Sequence, residues 1–173
     1  PGGDDTVHLQ FGGLWTMDAK KEAATGLVFG VVGATSTIAA LSVAPLGQRV
    51  GYRNCVMVAA LFTGVLYIPV ALAGTFTSYF LFFGALGLFQ GAMVPGTNAL
   101  IAASTPDGKQ GSAFGLAASM QSMALLLGPL TGGIVAGLVS IEAVYISIGV
   151  LLLFAGVGAW RYIREPTVFS MPE

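Results

Sequence analysis

The feature that most constrains this chain is the length of its stretches without a charged residue. Four such stretches occur, at residues 23–48, 54–106, 110–141 and 143–160, and they are 26, 53, 32 and 18 residues long. A helix that crosses a membrane needs about 20 apolar residues. The second stretch is long enough for two helices and divides at the polar segment 74–78. We therefore predict an all-α integral membrane protein with five transmembrane helices, at 24–46, 55–73, 79–103, 112–138 and 141–162.

Composition excludes two other classes of protein. The chain has 7 Lys and Arg and 8 Asp and Glu, so charged residues make up 9% of it, against about 25% in a typical soluble domain. So few charges cannot cover the surface of a soluble domain of this size. The net charge of −1 and the lack of basic clusters argue against nucleic acid as a partner. The partner that composition favours is the lipid bilayer.

The positions of Lys and Arg predict the topology. Most of the cations lie in the first and third loops and at the end of the fifth predicted helix: Arg49, Arg53, Lys109, Arg161 and Arg164. Lys and Arg concentrate on the cytoplasmic side of membrane proteins. We therefore expect residues 1–23 to be an extracytoplasmic leader or loop, 24–164 a five-helix bundle in the plasma (inner) membrane, and 165–173 a cytoplasmic tail.

Residues that carry catalytic or cofactor chemistry are scarce. Cys55 is the only cysteine, and the only histidine, His8, stands in the polar leader. The sequence has neither metal-ligand spacing nor a catalytic set of His, Ser and carboxylate. We expect no enzyme activity, no metal site and no cofactor.

Small residues are spread through the first, third and fourth predicted helices. Without a hydrophobic driving force between helices in lipid, close backbone approach at Gly and Ala is a main source of association. We expect these three helices to pack at the centre, and the bulkier second and fifth helices to face lipid. The alternative is that the glycines only reflect the general enrichment of Gly in membrane helices.

The first predicted loop reads Ala44-Pro45-Leu46-Gly47-Gln48-Arg49-Val50-Gly51-Tyr52-Arg53. It resembles the loop signature G-x-L-x-D-R-x-G-R-R of the major facilitator superfamily of transporters. Matches occur at Leu46, Arg49, Gly51 and Arg53, and departures at Ala44, Gln48 and Tyr52. The resemblance implies a gating loop made of Leu46, Gly47, Arg49, Gly51 and Arg53. The alternative is a basic turn that obeys the positive-inside rule alone.

The fourth predicted helix has a second motif. Its spacing Gly115-x8-Ala124-x3-Gly128-Pro129-x2-Gly132-Gly133 resembles the antiporter motif G-x8-G-x3-G-P-x2-G-G of the same family, with Ala124 as the single departure. The resemblance implies a helix-kink motif, formed by Gly115, Gly128, Pro129, Gly132 and Gly133. Such a kink seals against a partner helix and reopens as two halves of a transporter rock.

The third predicted helix resembles the family's fourth helix. Gly87 is followed eight residues later by Pro95, but Phe83 stands where that helix carries an arginine. These departures imply the second half-bundle of a twelve-helix facilitator fold, so that the five helices resemble family helices eight to twelve. Residues 7–26 are then expected to be the outer end of helix seven and the loop after it. The overall run most resembles the drug-efflux branch of drug:proton antiporters.

The same resemblance assigns a substrate cavity. Helices eight, ten and eleven line the central cavity in the family, which makes the membrane-embedded amides Gln90, Gln121 and Asn98 substrate-side candidates. An adaptable apolar wall is expected from Phe83, Phe89, Met93, Met120 and Met123. The alternative is that the amides hold helices together and that the Phe and Met residues only pack.

Two classes of function remain open from the sequence. The favoured one is transport of small molecules by a secondary transporter, as efflux of drug-like or amphipathic compounds by alternating access. The fragment is then inactive alone, its partner is the N-terminal half, and carboxylates for any proton coupling lie in that half. The other class is a non-transporting five-helix scaffold or subunit. Within transport, a sugar or metabolite facilitator is the alternative.

Overall fold

The computed structural model describes residues 6–11 and 15–163 of the chain. In this part of the chain, two strands, β1 (Thr6–Phe11) and β2 (Trp15–Lys20), precede five helices, α1 (Lys21–Val50), α2 (Tyr52–Ala71), α3 (Phe76–Ser104), α4 (Gln110–Leu138) and α5 (Ile141–Tyr162). All five helices are long and apolar enough to cross a membrane. The prediction of five spanning helices is confirmed, with helix ends that differ from the predicted ones by four residues at most.

The segment before α1 differs from the expectation. Strands β1 and β2 pair antiparallel, with Thr6 opposite Lys20 and Phe11 opposite Trp15. The family resemblance implied the outer end of a further helix here, and that expectation is wrong for the described residues. The sequence contains the reason, because polar and apolar residues alternate along both 6–11 and 15–20. A two-residue period is that of a strand.

The turns between helices are short, and particular residue types account for their positions. Gly51 alone separates α1 from α2, and its φ of 91° lies in the region that glycine adopts without steric cost. At the start of α3 the side chain of Thr75 accepts a hydrogen bond from the backbone N–H of Ser78, and Ser140 caps α5 in the same way. These two N-caps fix where α3 and α5 begin.

Glycines decide how α1 meets α3. Gly84, Gly87 and Gly91 face α1, and a Cβ atom at Gly87 would overlap the side chain of Thr35. The close approach lets the Ser36 Oγ donate a hydrogen bond to the Gly87 carbonyl at 2.9 Å. The expectation that small residues pack these two helices together is confirmed.

The positions of α2 and α4 overturn the expected arrangement. Helix α2 packs between α3 and α5 at the centre of the described helices, whereas α4 has no buried residue. The expectation that the second helix faces lipid and the fourth lies at the centre is wrong for this five-helix unit. The cause is again glycine placement, since Gly64 of α2 and Gly149 of α5 bring their backbones together. On α4, by contrast, Gly115, Gly128 and Gly133 face open space.

Candidate functional site

An open groove of about 820 Å³ runs along α3, between α1, α2 and α5. It is lined by Ser36, Thr37, Ala40, Tyr67, Gln90, Gly91, Met93, Val94, Pro95, Ile148 and Leu152. We call it the Gln90 groove. None of these residues is Asp, Glu, Lys or Arg, and the volume falls in the range of small-molecule sites, about 300–1,000 Å³.

The polar centre of the groove is a pair of side chains from two helices. The Gln90 Nε2 of α3 donates a hydrogen bond to the Tyr67 Oη of α2 at 3.0 Å. An amide in an apolar environment needs such a partner, because burying it without one is costly. The carbonyl oxygen of the Gln90 amide accepts no hydrogen bond from the described residues. One end of the amide is therefore held by the protein, and the other end is available to a bound molecule.

The remaining polar groups of the groove are few. Pro95 has no N–H, so the Gly91 carbonyl one turn earlier lacks its usual helical donor. The hydroxyls of Ser36 and Thr37 already donate to backbone carbonyls. Most of the wall is carbon. Such a site suits a molecule with a large apolar body and a small number of polar groups.

The structure brings together only part of the predicted cavity. Gln90 and Met93 line the groove, but Phe89 lies outside it and stacks on Phe62 with ring centroids 5.1 Å apart. Asn98, near the end of α3, is exposed. On α4 three predicted residues are exposed and apart from the groove: Met120, Gln121 and Met123.

Phe83 belongs to an aromatic cluster rather than to the groove wall. Its ring stacks on that of Tyr79 at 4.4 Å, and the Tyr79 and Tyr145 hydroxyls are hydrogen-bonded at 2.9 Å. The Tyr145 ring in turn lies 6.2 Å from that of Tyr67. The cluster joins α2, α3 and α5 beside the groove. Sequence reasoning missed these tyrosines, although a phenol in an apolar helix signals a need for a hydrogen-bond partner.

The predicted gating loop makes defined contacts. The Tyr52 ring covers Gly47, where a Cβ atom would collide with it, and the Tyr52 hydroxyl donates to the Ala44 carbonyl at 3.4 Å. The Arg53 guanidinium donates to the carbonyl of Trp160 at the end of α5. Leu46 and Arg49 are exposed. The loop thus ties the α1–α2 turn to the last turn of α5.

The predicted helix-kink motif lies on the exposed helix. α4 continues as one helix from Gln110 to Leu138 through Pro129. Of its motif glycines, only Gly132 has a neighbour within contact range, the Val144 side chain 3.9 Å from where its Cβ atom would lie. The other motif glycines leave a surface on which a further helix backbone could lie.

The fold and the groove define a helical integral membrane protein with an uncharged site of small-molecule size. The sequence profile of the Major Facilitator Superfamily matches residues 13–170. The chain belongs to this family, whose members are transporters and not enzymes.

Several relatives carry transport-related names. The chain is 31% identical, over 82% of its length, to the multidrug resistance protein MdtG of Yersinia enterocolitica and spans 34% of that protein. It is 30% identical over 76% of its length to the uncharacterized MFS-type transporter YuxJ of Bacillus subtilis, of which it spans 33%. It is 22% identical over 84% of its length to a multi-drug resistance efflux pump PmrA homolog of Lactococcus lactis, of which it spans 37%. The chain therefore spans about a third of the length of these relatives.

Proposed function

We propose that this chain is the C-terminal half-bundle of a secondary transporter that exports drug-like or amphipathic compounds by alternating access. Its helices correspond to helices eight to twelve of the family fold, and the fragment alone transports nothing. The observation that carries the proposal is the Gln90 groove, which combines an apolar wall with one open amide oxygen. That chemistry suits amphipathic molecules better than sugars, which need many hydrogen-bond partners.

The exposed surface of α4 supports the proposal that this helix packs against a partner. A helix with no buried residue and with glycines that face open space has a surface fitted to another helix. The partner we propose is the N-terminal half of the same transporter. In the assembled protein Met120, Gln121 and Met123 then join the cavity that begins at Gln90.

The distribution of cations supports the proposed orientation. Arg49 and Arg53 flank the α1–α2 turn, Lys109 precedes α4, and Arg161 lies in the last turn of α5. The contact of Arg53 with the Trp160 carbonyl places the turn and the end of α5 together. This end then faces the cytoplasm, and the start of α1 faces outward.

The proposal is tested by export of a lipophilic cationic dye from cells that express the full-length parent protein. Wild type should export the dye, and a protonophore should abolish export if protons drive it through carboxylates in the other half. Gln90→Leu keeps the size of the side chain and removes the amide, so we expect about tenfold slower export. Gln110→Leu, at the exposed first residue of α4 and outside the groove, is the matched control and should export normally at equal expression.

Other outcomes distinguish the alternatives. Equal export by Gln90→Leu and wild type would contradict the assignment of the groove. Uptake of a labelled sugar that is lost in Gln121→Ala would instead favour a sugar facilitator. A full-length protein that moves neither class of compound, yet copurifies with a membrane partner, would favour a scaffold.

A further inference from the structure

A second groove, of about 420 Å³, lies between α1, α2 and α3 and shares no lining residue with the Gln90 groove. Cys55 of α2 and Phe89 of α3 line it, and we call it the Cys55 groove. It extends along α1 from Ile38 to Val50 and so reaches the α1–α2 turn. Of its lining residues, only Leu46 belongs to the predicted gating loop.

The Cys55 groove is lined mainly by apolar side chains. Two of its polar side chains have their donors satisfied within their own helices. The Ser42 Oγ donates to the Ile38 carbonyl at 2.8 Å, and the Asn54 Nδ2 donates to the Val50 carbonyl at 2.8 Å. The rest of the wall is mainly aliphatic and aromatic carbon. A hydrocarbon chain fits this surface, whereas a molecule that needs several hydrogen bonds does not.

A cation stands at the end of the groove nearest the turn. Arg49 lies three residues after Leu46 and seven after Ser42, which both line the groove, so helical periodicity places it on the same face of α1. Arg49 is exposed and makes no ion pair or hydrogen bond with the described residues. Arg53, by contrast, is engaged with the Trp160 carbonyl. Arg49 is therefore the arginine of this loop that is open to an anion.

We propose that the Cys55 groove binds an anionic phospholipid, with an acyl chain against α1, α2 and α3 and the headgroup phosphate beside Arg49. The occupant follows from the combination of an apolar groove with a basic end. In the orientation proposed above, this end meets the cytoplasmic leaflet, which carries anionic lipids. The lipid site lies outside the Gln90 groove, and its test below does not depend on transport activity.

The test is native mass spectrometry of the purified full-length protein, exchanged into detergent with either phosphatidylglycerol or phosphatidylcholine of the same acyl chains. Wild type should retain one phosphatidylglycerol more tightly than phosphatidylcholine. Arg49→Gln should weaken the retention of phosphatidylglycerol about fivefold. It should weaken that of phosphatidylcholine less, because the choline cation offsets the charge of the same phosphate. Arg161→Gln is the matched control, because Arg161 is an exposed cation at the same end of the bundle but away from the groove.

A second pair of variants tests the groove itself. Val58 lines the groove and Val65 does not, although both are on α2 and are 47% and 52% exposed. Val58→Phe should displace both lipids, and Val65→Phe should displace neither. Ser42→Phe fills the same groove from α1 and replaces Val58→Phe if that variant fails to fold. Three outcomes would each overturn the proposal. The first is an equal loss of phosphatidylglycerol retention in Arg49→Gln and Arg161→Gln. The others are lipid retained in both Val58→Phe and Ser42→Phe, and no lipid retained by wild type.

Discussion

Gly64 of α2 and Gly149 of α5 lie backbone to backbone. A Cβ atom on Gly64 would come within 2.9 Å of the Gly149 carbonyl oxygen, and one on Gly149 within 2.8 Å of the Gly64 carbonyl oxygen. Neither carbonyl can move without moving its helix. This reciprocal contact holds α5 on α2, and with it the wall of the Gln90 groove that Ile148 and Leu152 supply.

Alanine at either position should separate the two helices. We expect Gly64→Ala and Gly149→Ala each to lower the stability of the full-length protein by about 1–3 kcal/mol, because the added methyl group overpacks a closed contact. Gly133→Ala is the control, since that glycine faces open space. The measurement is thermal unfolding in detergent, and a melting temperature for Gly149→Ala equal to that for Gly133→Ala would contradict the contact.

The hydrogen bond between Tyr79 and Tyr145 should make a small contribution to stability. Tyr145→Phe keeps the ring in the aromatic cluster and removes one hydroxyl, so we expect a loss of about 0.6 kcal/mol, typical of a hydrogen bond between membrane helices. Tyr162→Phe is the control because Tyr162 is 83% exposed. The measurement is the same thermal unfolding assay, with each variant compared with wild type. Equal melting temperatures for Tyr145→Phe and Tyr162→Phe would contradict a role for the hydrogen bond between Tyr79 and Tyr145.

Arg53 should protect the end of α5. Its guanidinium satisfies the Trp160 carbonyl, which belongs to the last turn of a helix and has no partner in the helix itself. We expect Arg53→Gln to speed amide hydrogen exchange in the last turn of α5 by about tenfold. Arg49→Gln should leave that exchange unchanged, since Arg49 makes no hydrogen bond or ion pair with the described residues. Faster exchange in both variants would show a general effect of charge instead.

Tyr67 should affect substrate affinity through Gln90. Tyr67→Phe keeps the aromatic ring but leaves the Gln90 Nε2 without its acceptor, so the amide is free to turn in the groove. We expect the apparent KM for the exported dye to rise between about twofold and tenfold, which corresponds to one hydrogen bond. The check is dye export at a series of dye concentrations, with Tyr162→Phe as the control. An unchanged KM in Tyr67→Phe would contradict a role for the Gln90–Tyr67 hydrogen bond in substrate binding.

The motif glycines of α4 should matter only in the complete protein. Gly128 and Gly137 both face open space within this chain, but only Gly128 belongs to the antiporter-like motif. We expect Gly128→Leu to abolish dye export because leucine blocks the approach of a partner helix. Gly137→Leu should export at a rate close to that of wild type. Failure of both variants, with normal expression, would show that α4 tolerates no bulk and that the motif has no separate role.

Several parts of the fold could be predicted from the sequence because they depend on local properties. The absence of charge over 23–48 is enough to specify a membrane span, whatever lies beside it. The turn at Gly51 and the cap at Thr75 are likewise readable from residue type. The hairpin of β1 and β2 was also readable from its two-residue period, and the family resemblance obscured it.

The candidate site was predictable only in part. Gln90 was identified because an amide in an apolar helix needs a partner, and Met93 because the family resemblance assigns this helix to the central cavity. The structure places both in one groove. Tyr67 was missed because its partner is 23 residues away on another helix. Phe89 lies outside this groove, and helix periodicity does not say which neighbour each face of α3 meets.

The sequence by itself determined the number of membrane helices, their approximate ends and the clustering of cations at one end of the bundle. These properties depend only on residues that are close together in the sequence, so they can be predicted without any tertiary contact. Only the tertiary structure decided that α2 lies at the centre and that α4 lies outside. The physical reason is that helices in lipid associate where small residues on two of them coincide. The match of Gly64 with Gly149 joins positions 85 residues apart, which neither composition nor periodicity reveals.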